Sequence, residues 1–174
     1  MNATYAEHWP QFYTATINNW QHLLADDKHK YIIIGSLKFL VTENRIVLNA
    51  FVIMSNHIHL IWQAMPGFTP SDIQASFMKY TAQQLKRSLA KNNKEALETF
   101  KVNKYNKEYQ FWKRESLGIE LISPVVFQQK LNYIHNNPVK AGLCTNPEDY
   151  HYSSAKFYYR GTDDFEMLTH YSGN

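Results

Sequence analysis

The sequence predicts an α+β fold, an antiparallel sheet with helices packed on it, from three observations. Strand-like and helix-like segments alternate along the chain. Two apolar, β-branched runs, Ile46 to Met54 and His57 to Gln63, are separated only by Ser55-Asn56. Two further segments open on strong helix starts, Thr69-Pro70 and Ser123-Pro124. So short a connection joins antiparallel neighbours, which makes this hairpin the expected centre of the sheet. At 174 residues, with no internal repeat and no low-complexity linker, the chain suits one domain over 1–174. Within it a basic segment covers 86–114, and a short C-terminal tail starts at about 145.

Gln11 to Ile17 alternates rings, hydroxyls and small residues and is expected to be a strand. Tyr31 to Val41 is ambiguous: Ile32, Ile33 and Ile34 favour a strand, whereas Ile33, Leu37, Leu40 and Val41 make a helical stripe, and helix is preferred. Thr69 before Pro70, with Asp72 three positions on, starts a helix whose apolar face is Ile73, Phe77, Tyr80, Leu85 and Leu89. Phe111 to Leu121 is expected to contain another strand. Ser123-Pro124 starts a helix running to Asn137, with Pro138 as its stop.

Composition narrows the class. Apolar residues make up 44% and charged residues 19%, which excludes a wholly disordered chain. No apolar run approaches the roughly 20 residues of a membrane-spanning helix, and the region of Glu7 and His8 carries no cationic, apolar leader, so a soluble, cytoplasmic protein is expected. The single cysteine, Cys144, makes neither an internal disulfide nor a thiolate cluster, so any metal must be held by His, Asn, Gln or carboxylates. The 12 tyrosines either fill a core or face something flat. Nine of the 18 Lys and Arg residues lie between Lys86 and Arg114, opposed by Glu95, Glu98 and Glu108, a net +6 inside a protein of +3. Tyr105, Tyr109, Phe111 and Trp112 are interleaved with these cations, a pattern that suits phosphates and stacked bases. A solvated loop after a helix explains the same charge.

Two elements carry chemistry. His57 and His59 lie two apart on a strand, so both imidazoles leave one face, about 7 Å apart at the backbone, and can share a cation. Two ordinary polar contacts beside the core remain the alternative. On the helix from Ser123, Phe127, Leu131 and Ile134 form one stripe, and Val126, Lys130, Tyr133 and Asn137 form a second roughly 90° round. Tyr133 and Asn137 thus stand one turn apart at the margin of the buried face. A boundary tyrosine and an asparagine C-cap before Pro138 are the plain alternative. His135 points about 160° from Tyr133 and is expected to be structural or a DNA contact.

The segments Val52-Ile53-Met54-Ser55-Asn56-His57-Ile58-His59-Leu60-Ile61 and Leu131-Asn132-Tyr133-Ile134-His135-Asn136-Asn137-Pro138-Val139-Lys140-Ala141-Gly142-Leu143 resemble the two hallmark blocks of the REP-associated tyrosine transposases. These are single-tyrosine HUH transposases of small bacterial insertion sequences, and the likeness runs from Phe12 to Tyr152-Ser153-Ser154. Ser55 stands where the family usually has Pro, and Tyr152 where it has Trp.

The resemblance implies a ferredoxin-like, RNA-recognition-motif-like HUH-endonuclease sheet, and it implies a helix at Tyr31 to Val41. By position, it makes His57 and His59 metal ligands, Asn137 the third ligand and Tyr133 the nucleophile. Mg²⁺ or Mn²⁺ is expected, Mn²⁺ being the better match to imidazole. The implied reaction cleaves and rejoins single-stranded DNA near hairpins through a 5′-phosphotyrosine. Lys101, Lys104, Lys107, Lys113 and Arg114 are candidate DNA contacts, extended by Lys79, Lys86 and Arg87 on the preceding helix. Lys130, on the tyrosine's stripe, is a candidate for steadying phosphate or phenolate. Relatives act as monomers or as homodimers, and the sequence does not choose between them. The rival functions are a non-catalytic nucleic-acid module of the RNA-recognition type, and a metal hydrolase using water, in which Tyr133 is dispensable.

Overall fold

A computed structural model describes residues 7–172. Strands β1 (Gln11–Thr16), β2 (Ile46–Ile53), β3 (His57–Ala64) and β6 (Leu117–Glu120) form an antiparallel four-stranded sheet in the order β2-β3-β1-β6. Strands β4 (Lys101–Lys104) and β5 (Lys107–Tyr109) make a separate two-stranded ribbon. The helices are α1 (Asp27–Thr42), α2 (Pro70–Asn92), α3 (Lys94–Glu98), α4 (Pro124–Lys140) and α5 (Ala155–Arg160). The predicted α+β class and the β2–β3 hairpin are observed, but the hairpin is not the centre of the sheet: β3 and β1 are the inner strands, and β2 lies at one edge.

Strand alternation sorts the core into two layers. Tyr13, Ala15, Ile58, Leu60 and Trp62 pack with Ile33, Leu37, Ile73, Phe77 and Leu85 of α1 and α2. Phe12, Ala50, Val52 and Ile61 face the other way, against Phe127, Leu131 and Ile134 of α4. Burial on both faces explains why β2 and β3 read as continuous apolar runs. The register shift between Leu48 and Ala50 lets Leu48 and Phe51 serve the first layer while Ala50 and Val52 serve the second.

Local capping chemistry fixes where the helices begin. Thr69 Oγ1 accepts the Asp72 N–H at 3.1 Å, Ser123 Oγ accepts that of Val126 at 3.3 Å, and Asp26 Oδ1 accepts that of Lys28 at 3.0 Å. The ambiguous Tyr31 to Val41 lies within α1, with Ile33 and Leu37 fully buried.

Three further expectations need correction. Helix α4 does not stop before Pro138 but passes through it to Lys140, and Asn137 is an interior residue, not a C-cap. Proline removes one donor, yet the next turn closes through Ala141 N–H to Asn137 O at 3.1 Å and Leu143 N–H to Pro138 O at 2.9 Å; the chain then turns away at left-handed Gly142 (φ 72°). On α2, Thr81 is buried in place of Tyr80, which stands half exposed, because Thr81 Oγ1 accepts the indole N–H of Trp112 at 3.0 Å. Tyr159 is likewise half exposed. The basic segment is not a plain loop: it contains the end of α2, α3 and the β4–β5 ribbon. The C-terminal tail is built into the fold along the outer edge of β2, with Ile53 N–H to Tyr152 O, Ser154 N–H to Phe51 O and Thr169 N–H to Leu48 O, each 2.9 Å.

Candidate active site

His57 and His59 leave β3 on the face that meets α4. Their cross-strand partners on β1 are Thr16 and Thr14, and the two imidazole centres are 4.8 Å apart. The buried stripe Phe127, Leu131, Ile134 fixes the rotation of α4 about its axis, so Tyr133 and Asn137 overhang β3. The Tyr133 ring lies 5.2 Å from that of His59 and 5.9 Å edge-on from Phe12, and Asn137 is near enough to the His57 ring to offset part of the effect of its burial. Four residues selected from two distant segments of sequence thus meet at one place. His59 is buried, whereas Tyr133 is 43% exposed and open to a large substrate.

Both rings are oriented by neighbours that sequence reasoning missed. His57 Nδ1 is 2.7 Å from Asn56 Oδ1, and His59 Nδ1 is 2.7 Å from Thr14 Oγ1. An amide oxygen only accepts, so His57 Nδ1 carries the proton and Nε2 keeps its lone pair; Thr14 allows His59 the same tautomer. Phe12 stacks on His59 at 5.4 Å. Burial holds His57 below the usual imidazole range, and burial, then the charges of His57 and Lys130, push His59 down to about 3. Both are therefore neutral at physiological pH, the state a metal ligand needs. Among the described residues no three His, Cys, Asp or Glu side chains gather, so a cation held here would rely on two imidazoles and the Asn137 amide. That donor set fits Mn²⁺ and, less well, Mg²⁺.

Two lysines flank the phenol: Lys130 Nζ is 5.8 Å and Lys140 Nζ 5.9 Å from the Tyr133 ring centre. Lys140 was not foreseen, because the helix was expected to end before it. His135 is buried against Tyr158, with Nε2 2.9 Å from Ser154 Oγ, and burial lowers it to about 4; it is a core residue and not a DNA contact.

The remaining DNA candidates divide. Lys79, Lys86, Lys107, Lys113 and Arg114 line one groove of about 830 Å³ between α2, the ribbon and residues 111–116. Tyr13 also lines it, which places the groove on the sheet face opposite His57 and His59. Lys101 instead pairs with Glu98 at 3.3 Å, Lys104 donates to Gln110 Oε1 at 3.1 Å, and Arg87 is exposed on α2. Tyr105 is 95% exposed, whereas Tyr109 is half-buried and donates to Glu98 at 3.3 Å.

Comparison with known families identifies the chain, with its paired histidines facing a helical tyrosine, as a DNA-processing enzyme. Residues 14–137 match the family described as "Transposase IS200 like", a span that encloses both histidines, Tyr133 and Asn137, and the chain belongs to that family of transposases. Among solved structures, the chain is similar to the REP-associated tyrosine transposase bound to a REP hairpin. The TM-score is 0.64 at 17% identity, covering 100% of this chain and 95% of that one. It is also similar to a putative transposase from Deinococcus radiodurans, with a TM-score of 0.52 at 16% identity over 78% of this chain and 95% of that one. These likenesses carry the fold. No curated protein matches the sequence. No helix among the described residues is long and apolar enough to cross a membrane.

Proposed function

We propose that this transposase cleaves and rejoins single-stranded DNA beside a hairpin through a phosphotyrosine at Tyr133, with a divalent ion held by His57, His59 and Asn137. The observation that carries the reading is the meeting of Tyr133 with the two oriented histidines, the phenol ring 5.2 Å from His59. The Tyr133 oxygen attacks phosphorus as its proton leaves; the bond from phosphorus to the 3′-oxygen breaks, and that oxygen takes up a proton. A 5′-phosphotyrosine and a free 3′-hydroxyl result, and attack by a 3′-hydroxyl reverses the step without an external energy source. When bound, the ion supplies positive charge that offsets charge on the transferring phosphate. Lys130 and Lys140 add cationic charge beside the phenol, and among the described residues neither has an ion-pair partner.

A hairpin as substrate is supported by the cationic groove, in which five Lys and Arg residues face Glu108 alone among carboxylates. The similar transposase of known structure was bound to a REP hairpin, which points the same way. All four groups of the proposed site come from one chain. The test is incubation with labelled hairpin-bearing single-stranded DNA and Mn²⁺. A denaturation-resistant adduct that disappears in Tyr133→Phe is expected. Binding without any adduct would favour the non-catalytic module, and cleavage that survives the substitution would favour a water-using hydrolase.

A further inference from the structure

The turn between β1 and α1 carries an aromatic side chain that neither the core nor the cleavage step uses. Asn19 and Trp20 are consecutive left-handed residues, with φ of 56° and 55°. Asparagine tolerates that conformation, but an indole there is an outlier that its surroundings must hold in place. They hold it at three points. Asn18 N–H donates to Phe111 O at 2.7 Å, the Gln21 amide and Thr99 exchange hydrogen bonds of 3.2 and 2.7 Å, and His22 Nδ1 is 2.7 Å from Ser55 Oγ. The result of this fastening is that the Trp20 ring stays 56% exposed.

What surrounds the ring has the chemistry of a nucleotide site. Lys113 Nζ stands 5.3 Å from its centre, so a cation and a π-face are presented together. Lys113 also lines the basic groove, and its N–H is bonded to Thr16 O at 2.7 Å at the end of β1. On the other side, Asn56 Nδ2 lies 3.5 Å from the Trp20 carbonyl while Asn56 Oδ1 holds the His57 ring. Trp20 therefore sits at the end of the sheet, between the groove on one face and the paired histidines on the other. The end of the sheet at Trp20 offers a strand gripped in the groove a route to Tyr133.

We propose that Trp20 is a stacking platform for an unpaired base of the DNA strand passing from the groove to Tyr133, with Lys113 receiving the adjacent phosphate. This rests on the reading that the substrate is single-stranded DNA. The base lies on the open face of the indole, and stacking of this kind is indifferent to base identity.

The test is binding of an oligodeoxythymidine strand in metal-free buffer, where cleavage plays no part. Trp20→Leu keeps apolar bulk but lacks a π-face, and it should weaken binding about 5- to 150-fold, with Trp20→Phe in between. The oligonucleotide should also quench tryptophan fluorescence in Trp9→Phe, which removes the other exposed indole and leaves Trp20 beside buried Trp62 and Trp112. Should Trp20→Leu fail to fold, Trp20→Phe and the quench decide the question. Wild-type affinity in the folded Leu variant, or no quench in Trp9→Phe while binding persists, overturns the platform and leaves the cleavage reading standing. Failure of the wild-type protein to bind any single strand overturns both.

Discussion

Thr14→Val is the most discriminating change the site offers, because it exchanges a hydroxyl for a methyl of similar size and replaces none of the proposed ligands. His59 is 5% exposed, and its Nδ1 is partnered by Thr14 Oγ1 at 2.7 Å. Valine leaves that N–H with no acceptor, which costs about 1–3 kcal/mol for a buried donor. The ring escapes part of the cost by moving its proton to Nε2, which removes the lone pair a metal needs. Outer partners of metal-bound histidines are typically worth about 10- to 100-fold in metal affinity, or roughly 1.4–2.7 kcal/mol, the same range reached from the other side. The assay is phosphotyrosine adduct formation as a function of Mn²⁺ concentration, with thermal unfolding measured alongside in metal-free buffer. The half-saturating Mn²⁺ concentration should rise about 10- to 100-fold, adduct yield should recover at saturating metal, and Thr14→Ser should restore the wild-type curve. An unchanged Mn²⁺ dependence in Thr14→Val would refute the claim that Thr14 sets the His59 tautomer.

Replacing Lys101, Lys104 and Lys107 together by alanine should weaken hairpin binding and flatten the dependence of log Kd on log salt by about 1–2, at roughly 0.7 per phosphate contact; part of the Lys101 charge is already answered by Glu98. An unaltered slope would remove the ribbon from the DNA interface. Stability should also fall in mild acid because of His135. Its folded value, lowered to about 4 by burial, lies below the ordinary 6.5, so the unfolded chain takes up the proton first, and stability present above pH 6.5 is lost as pH falls towards 4. At pH 5 that is about 2 kcal/mol. Urea unfolding of His135→Gln should therefore show a pH 7 to pH 5 loss smaller than wild type by about that amount, and equal losses would contradict the assignment.

Parts of this fold were legible in the sequence because they are encoded locally. Thr69 and Ser123 announce their helices through hydrogen bonds that span three residues, and Tyr133 and Asn137 fall on one stripe by periodicity alone. What stayed hidden is encoded across distance. Thr14 meets His59 only through the register of β1 on β3, 45 residues apart. The β4–β5 ribbon is solvent-exposed along most of its length, so its strands lack the apolar alternation that betrays a half-buried strand. Thr81 is buried in place of Tyr80 because Trp112, 31 residues on, needs an acceptor. Pro138 misled for a different reason: a proline predicts a lost donor, but it does not predict whether the following turn still closes.

The chemistry at this site depends on two phases, and apolar residues remote from the reaction set both. Strand parity in β1 and β3 decides that Phe12, Thr14, His57, His59 and Ile61 share a face; slipping β3 by one residue would send the histidines into the layer of α1 and α2, and slipping β1 would take Phe12 and Thr14 away from them. Helix phase in α4 decides that Tyr133 overhangs them. Each residue advances the helix by about 100°, so a shift of one position would carry the phenol away from the imidazoles. Phe127, Leu131 and Ile134, buried against Phe12 and Ile61, resist that shift. The layer that contains Phe12 therefore does two jobs: it holds the helix in rotation, and through the ring of Phe12 it supports His59 and Tyr133 directly, at 5.4 and 5.9 Å. Core and candidate site are one packing problem here, which is why the proposed nucleophile and the proposed ligands, from segments more than 70 residues apart, can be aligned without any covalent or ionic tie between them.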